Sequence, residues 1–222
     1  MKEQRSQSPD NSLADKPPGS SLRSGEDRDL AIRAREGDLV AFEALVRKYH
    51  SRIYRLSYRL VGNGEDAQDI SQEVFIRLHK FINKHNPHRS LLSWLFKVAT
   101  NLSIDFRRSR QRRHYFRQKY ASRSDNEHSS SSLTKSADQI LVNKELNEIV
   151  NSLLNYLTEK ERAVFTLRDL EDFSSEEVVE ILGCASGTVR CHLHKARTKI
   201  RDKLSHLYPD LVPFKENKND EM

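Results

Sequence analysis

Ser174-Ser-Glu-Glu-Val-Val-Glu-Ile-Leu182, then Gly183-Cys184-Ala185, then Ser186-Gly-Thr-Val-Arg-Cys-His-Leu-His-Lys-Ala-Arg-Thr-Lys-Ile-Arg-Asp-Lys-Leu204, reads as two helices joined by a tight turn. Ser174 and Glu177 form a capping-box signature for the first helix, which presents Val178, Val179, Ile181 and Leu182. Gly183 stands where the turn needs a permissive backbone. On the second helix Val189, Leu193, Ala196, Ile200 and Leu204 recur at helical spacing and make a single inward stripe. Its other faces carry Arg190, Cys191, His192, His194, Lys195, Arg197, Lys199 and Arg201. An amphipathic helix behind a short turn, with cationic donors at its exposed start, fits recognition in a DNA major groove. Arginine and lysine donate to guanine edges or to phosphates, and the pattern leaves both open. A solvated basic helix in an ordinary bundle is the competing reading.

The same periodicity extends upstream. Thr158 and Glu161 repeat the capping-box signature ahead of Ala163, Val164 and Leu167, and Ile140, Leu141, Ile149, Val150, Leu153 and Leu154 mark a further helix. These elements define a C-terminal domain over 138–207, followed by a tail over 208–222. Over 116–137 the pattern fails and a run of serines occupies 129–132, the composition of a flexible linker. Before it lies an N-terminal domain over 27–115, helical from Asp29. Phe42, Leu45, Val46, Tyr49, Ile53, Leu56 and Leu60 form one face of a long helix that Gly62-Asn63-Gly64 stops. Ala67, Ile70, Val74, Leu78 and Phe81 line a second helix. After a loop at 83–90 broken by Pro87, Leu91, Leu95, Val98, Leu102 and Phe106 stripe a third. Residues 1–26 are Ser-, Pro- and charge-rich and are expected to be disordered. The expected fold class is all-α: two small helical domains joined by a flexible linker, the second with a helix-turn-helix.

Composition agrees. The 222 residues are 36% hydrophobic and 32% charged, with only 7 Gly and 6 Pro, which favours small helical units with large solvated faces. A net charge of +6 suits a polyanionic partner. Two cysteines, Cys184 and Cys191, make no disulfide framework, and a reducing cytoplasm is the expected compartment. There is no apolar run at the N-terminus and none near the roughly 20 residues of a membrane span, so neither a signal peptide nor membrane insertion is expected.

Charge is segregated along the chain. From Arg107 to Arg123 the cations Arg107, Arg108, Arg110, Arg112, Arg113, Arg117, Lys119 and Arg123 occur without an acid, interleaved with Tyr115, Phe116 and Tyr120. Cations follow a phosphate backbone while aromatics stack on unpaired bases. A solvated helix end would also explain a charge run, but two basic elements on two domains weaken that account. Glu65, Asp66, Asp69 and Glu73 lie together on the second helix with no cation between them. The helix dipole favours acids at its start. It does not explain their association with Gln68, Gln72 and Phe75, which reads as a protein-docking face.

Four blocks carry a resemblance. Asp66-Ala-Gln-Asp-Ile-Ser-Gln-Glu-Val-Phe75 and Ser93-Trp-Leu-Phe-Lys-Val-Ala-Thr-Asn-Leu-Ser-Ile-Asp-Phe-Arg-Arg108 resemble region 2 of bacterial extracytoplasmic-function (ECF) sigma factors. Leu157-Thr-Glu-Lys-Glu-Arg-Ala-Val-Phe165 and Gly187-Thr-Val-Arg-Cys-His-Leu-His-Lys-Ala-Arg197 resemble region 4 of that family. The blocks run in the right order over about Asp29 to Leu204, with a linker where the family lacks a middle domain.

The resemblance implies a polymerase subunit that recognises and opens promoters, with core RNA polymerase and promoter DNA as partners and an anti-sigma factor as a further one. It assigns polymerase binding to Asp66, Asp69, Gln72, Glu73 and Phe75. It assigns the −10 element to Asn83, Lys84, His88, Arg89, Trp94, Lys97, Asn101, Arg107, Arg108, Arg110, Arg112 and Arg113. The −35 element falls to Ser186, Thr188, Arg190, Cys191, His192, His194, Lys195 and Arg197. No catalytic residue, cofactor or metal is implied. The chain departs from the family pattern at Thr158, where proline is usual, and at Cys191 and His192, where serine and a basic residue are common. Its linker carries only Asp125 and Glu127 as acids.

Rival chemistries fit less well. Cys184, Cys191, His192 and His194 cluster in sequence, but no Cys-x-x-Cys pair exists and both histidines lie on the DNA-facing side of the helix. A redox-sensing Cys191 would need exposure and activation by neighbouring cations. No Gly-rich phosphate loop, nucleophile elbow or carboxylate pair suggests an enzyme. A regulator that binds DNA without polymerase would need neither the acidic helix nor the block from Trp94 to Arg113.

Overall fold

A computed structural model describes residues 20–86, 89–120 and 139–208 of the chain, and no strand occurs among them. The N-terminal unit comprises α1 (Ser20–Arg35), α2 (Leu39–Val61), α3 (Gly64–Phe81), a 3₁₀ turn (Ile82–Lys84) and α4 (Leu91–Tyr120). Local chemistry sets the corners. Asp38 caps α2 by accepting from the backbone N–H groups of Val40 and Ala41, and Asn63 does the same for α3 at Glu65 and Asp66. Between them Gly62 adopts φ 77°, where its N–H donates to the Tyr58 carbonyl. A left-handed residue at this position closes the helix, and glycine adopts it without a Cβ clash.

The stripes read from sequence become the core of this unit. Leu45, Ile53, Leu56, Val74, Leu78, Leu95 and Phe96 are fully buried. Truncating one such side chain to alanine typically costs about 2–5 kcal/mol. The α1 helix begins at Ser20, ahead of the expected start at Asp29. Few apolar residues mark it, and its attachment is tertiary: Ala31 and Ala34 are buried, Tyr49 donates to Asp27, and Lys48 pairs with Asp27 and Glu26. The α4 helix also runs past the expected boundary, through Phe116 to Tyr120. The rest of the expected linker, at 121–138, lies outside the described residues, as do the tail to residue 19 and the segment from 209.

The C-terminal unit comprises α5 (Gln139–Leu154), α6 (Glu159–Phe165), a π turn (Thr166–Leu170), α7 (Ser175–Leu182) and α8 (Ser186–Leu207). Both capping boxes form in full, Thr158 with Glu161 and Ser174 with Glu177. Thr158 therefore does the capping work in its own right at the position where the family usually has proline. Gly183 ends α7 at φ 61°, its N–H donating to the Val179 carbonyl. Asp172 also has positive φ, 58°, and turns the chain between the π turn and α7. Aspartate tolerates that region better than most residues.

The two units share one core. Phe173 lies against Phe96 with ring centroids 4.7 Å apart. The apolar cluster runs without a break from Leu45 and Phe96 to Leu167, Val178 and Ile181. The first helix of the helix-turn-helix, α7, packs on α4. The packing of one unit on the other carries no sequence signal, because periodicity reports the buried face of each helix and not which distant helix covers it.

Candidate nucleic-acid interface

The acidic face is built on α3, whose N-terminus favours carboxylates at Glu65 and Asp66. Gln68, Asp69 and Gln72 are exposed. Asp66 is half-buried and pairs with Arg110 at 3.2 Å. Burial raises its carboxyl above the ordinary value, as do Asp69 and Glu65, while Arg110 opposes the shift. Glu73 is held by Arg77 at 2.7 Å on the same helix. Phe75, expected on the docking face, is buried in the core and stacks on His50. At about 100° per residue, Phe75 is turned roughly 60° from Gln72 and roughly 120° from Asp69 around the helix axis, toward the core side.

The loop and α4 form a second region. Trp94 stacks on Phe81, with centroids 4.5 Å apart and planes within 3°. Phe81 in turn meets His85 edge-on. Asn83, Lys84, Arg89, Lys97 and Asn101 are exposed around this aromatic stack, while His88 falls outside the described residues. His85 is buried, and burial pushes its pKa below the ordinary value; the Arg35 charge adds to this and a backbone hydrogen bond at Arg89 opposes it. A histidine depressed in the folded state contributes stability that is present above about pH 6.5 and lost as pH falls through the folded value. In an NMR titration His85 should therefore titrate below 6.5. A titration at or above that value would show that the loop does not hold the neutral ring.

Further along α4 the cations are engaged unequally. Arg107 donates to the Leu60 carbonyl at 2.9 Å, Arg108 pairs with Glu159 at 3.2 Å, and Arg110 pairs with Asp66. Burial lowers the pKa of Arg107, partly offset by Glu159. Arg112 and Arg113 are exposed. Arg108, Gln111, Arg112 and Tyr115 line a shallow groove on this end of the helix.

On α8 the expected contacts divide into free and tethered groups. Ser186, Arg190, Cys191, His194 and Lys195 are exposed, and Thr188 and His192 are half-buried. Arg197 is held by Asp169 through two hydrogen bonds of 2.8 and 2.6 Å, which raise its pKa. Lys199 is held by Glu161 at 2.7 Å. Among the described residues Arg190 and Lys195 make no ion pair, which leaves their charge available to a partner. The turn cysteine, Cys184, packs against the core, whereas Cys191 is exposed; both are free thiols.

Residues 45–113 match the family described as Sigma-70 region 2, and residues 147–200 match Sigma-70, region 4. Over 177 residues the chain is 32% identical to the ECF RNA polymerase sigma factor SigW of Bacillus subtilis (strain 168), covering 79% of this chain and 95% of that relative. The chain belongs to the ECF RNA polymerase sigma factors. As an ECF sigma factor it works with core RNA polymerase and recognises promoter DNA. Its fold is shared with CnrH, solved in complex with the cytosolic domain of CnrY (TM-score 0.61, 21% identity, covering 82% of this chain and 98% of that one). It is also shared with the sigma factor RpoE solved with the anti-sigma factor NepR from Bartonella quintana (TM-score 0.57, 19% identity, 74% and 96% coverage). No helix among the described residues of this sigma factor is long and apolar enough to cross a membrane.

Two residues of this sigma factor have roles that the sequence did not single out. Phe81 reads as core, yet it forms the platform for Trp94. Glu171 belongs to no motif read from the sequence, yet its side chain is 1% exposed and meets Arg52, Arg55 and Arg59. The available signal was the row of arginines itself, at three- and four-residue steps on one face of α2.

Proposed function

We propose that the ECF sigma factor divides promoter recognition between its two units, 27–115 and 138–207, joined through 116–137. The exposed carboxylate of Asp69, with Gln68, Gln72 and the neighbouring Asp66 and Glu73, docks on the polymerase. Phe75 supports that helix from beneath. The loop at 83–90 and α4 take the −10 element, with Trp94 and Phe81 as a stacking surface for an unpaired base and Lys84, Arg89, Lys97, Asn101, Arg107, Arg108, Arg110, Arg112 and Arg113 along the strand. The start of α8 enters the major groove of the −35 element with Arg190, Cys191, His194 and Lys195, flanked by Ser186, Thr188, His192 and Arg197.

The observation that carries this reading is the segregation of unengaged charge among the described residues: the exposed Asp69 on α3, and the unpaired Arg190 and Lys195 on α8 of the other unit. The sigma factor supplies no catalytic group, and bond formation belongs to the polymerase. Its place of action is the cytoplasm, where an anti-sigma factor is a fitting regulator, as in the solved relative bound to NepR. Reconstitution with sigma-free core polymerase tests the whole scheme. Promoter-specific transcripts are expected. DNA binding with no polymerase complex would instead make the protein an ordinary DNA-binding regulator.

A further inference from the structure

We propose that the unbound chain is held closed by an intramolecular latch, the Glu171 carboxylate in a clasp of Arg52, Arg55 and Arg59, which engagement of polymerase and promoter must break. Glu171 projects from the turn before α7 into the α2 surface of the other unit, at 3.4 Å from Arg52, 3.4 Å from Arg55 and 2.8 Å from Arg59. A carboxylate this deeply buried is stable only while its cationic partners surround it. Arg52 also stands over the Phe96 ring, the ring that Phe173 covers, so the ionic and apolar contacts form one joint.

Nearby, the same closed form is under opposing strain. Arg162, 2% exposed, and Arg107 both donate to the Leu60 carbonyl, at 3.2 and 2.9 Å. Burial and the Arg107 charge push the Arg162 pKa down to about 9, and its Nε has no partner. Two cations sharing one neutral acceptor favour separation. Attraction at Glu171 thus opposes repulsion at Arg162, a balance that an outside partner can tip.

Opening is also required by distance. The −10 and −35 elements lie roughly 25 base pairs apart, about 85 Å of duplex. In the closed form α7 touches α4, so the two units cannot reach both elements at once. Residues 121–138, fully extended, span roughly 60 Å. Closure also occupies Arg108, which pairs with Glu159 of the other unit. That last consequence rests on its assignment to the −10 strand.

Energy transfer between dyes on the full chain tests the latch, with Glu43→Cys and Arg201→Cys in a Cys184→Ser, Cys191→Ser background. The free protein should populate a high-transfer state. Glu171→Gln should lower the closed-to-open ratio at least about tenfold, and core polymerase should abolish the state in both proteins. The Arg52→Ala, Arg55→Ala, Arg59→Ala combination should do the same while leaving Glu171 itself unchanged. Equal transfer in the parent protein and both variants would overturn the latch. Binding of a single-stranded −10 oligonucleotide is read separately. If the variants open but bind it no more tightly, the latch stands and the assignment of Arg108 to DNA fails.

Discussion

Asp69→Lys is expected to weaken binding to core polymerase by roughly 2–4 kcal/mol, on the order of 30- to 1000-fold in affinity. Asp69 is exposed on α3 and, among the described residues, forms no ion pair, so its charge is not committed to the fold. It lies beyond the first helical turn, where the dipole no longer rewards a carboxylate. Lysine is also a good helix former, so the helix itself should survive the change. What changes is the sign of the charge presented to the partner. A reversal removes one attraction and sets like charges against each other, which is why it exceeds a simple truncation. Competition binding to core polymerase measures the loss, and duplex binding by the same variant through its other unit should be unchanged. A variant that binds polymerase as tightly as the parent would remove α3 as the docking element. Parallel loss of −35 binding would show that the division between units is wrong.

Arg190→Ala is expected to reduce binding to a −35 duplex by about 1–3 kcal/mol, concentrated at one base pair, if the guanidinium reads a guanine edge. Arg190 sits in the first turns of α8, is exposed and has no acidic partner among the described residues. Arg197, two turns further on, is already bound bidentately by Asp169. Its truncation should have a smaller effect on DNA, because the charge is partly neutralised before the duplex arrives. Binding measured across a set of base substitutions separates two outcomes. A loss confined to one position marks a base contact, whereas a uniform loss with a shallower salt dependence assigns Arg190 to phosphate. No loss on any sequence would take Arg190 out of the interface.

Most of the helices were legible because each buries one stripe at a fixed spacing. Leu45, Ile53 and Leu56 on α2, and Val189 and Ala196 on α8, lie in the core as their periodicity requires. The capping boxes at Thr158 and Ser174 were equally legible, since their hydrogen bonds close within four residues of chain. The α1 helix was only partly so. It has a thin apolar stripe and depends on Tyr49 and Lys48 from α2, and no local pattern reports that dependence. Phe75 misled for a related reason. Next to Gln72 and Glu73 in the chain it looks like part of an exposed motif, but its helical angle places it in the core.

The helix-turn-helix at Ser174 to Leu204, the all-helical class and the membership in the ECF sigma factors were determined by sequence alone, because local periodicity, capping and ordered motifs carry them. Which cations remain free was decided by tertiary structure. Arg107, Arg108, Arg110 and Arg197 look alike as letters, yet the first is spent on a carbonyl and the others on carboxylates 51, 44 and 28 residues away. The closure of the two units was decided there as well. Glu171 meets its arginines across 112 to 119 residues of chain, and Coulomb attraction depends on distance in space, which no local pattern encodes.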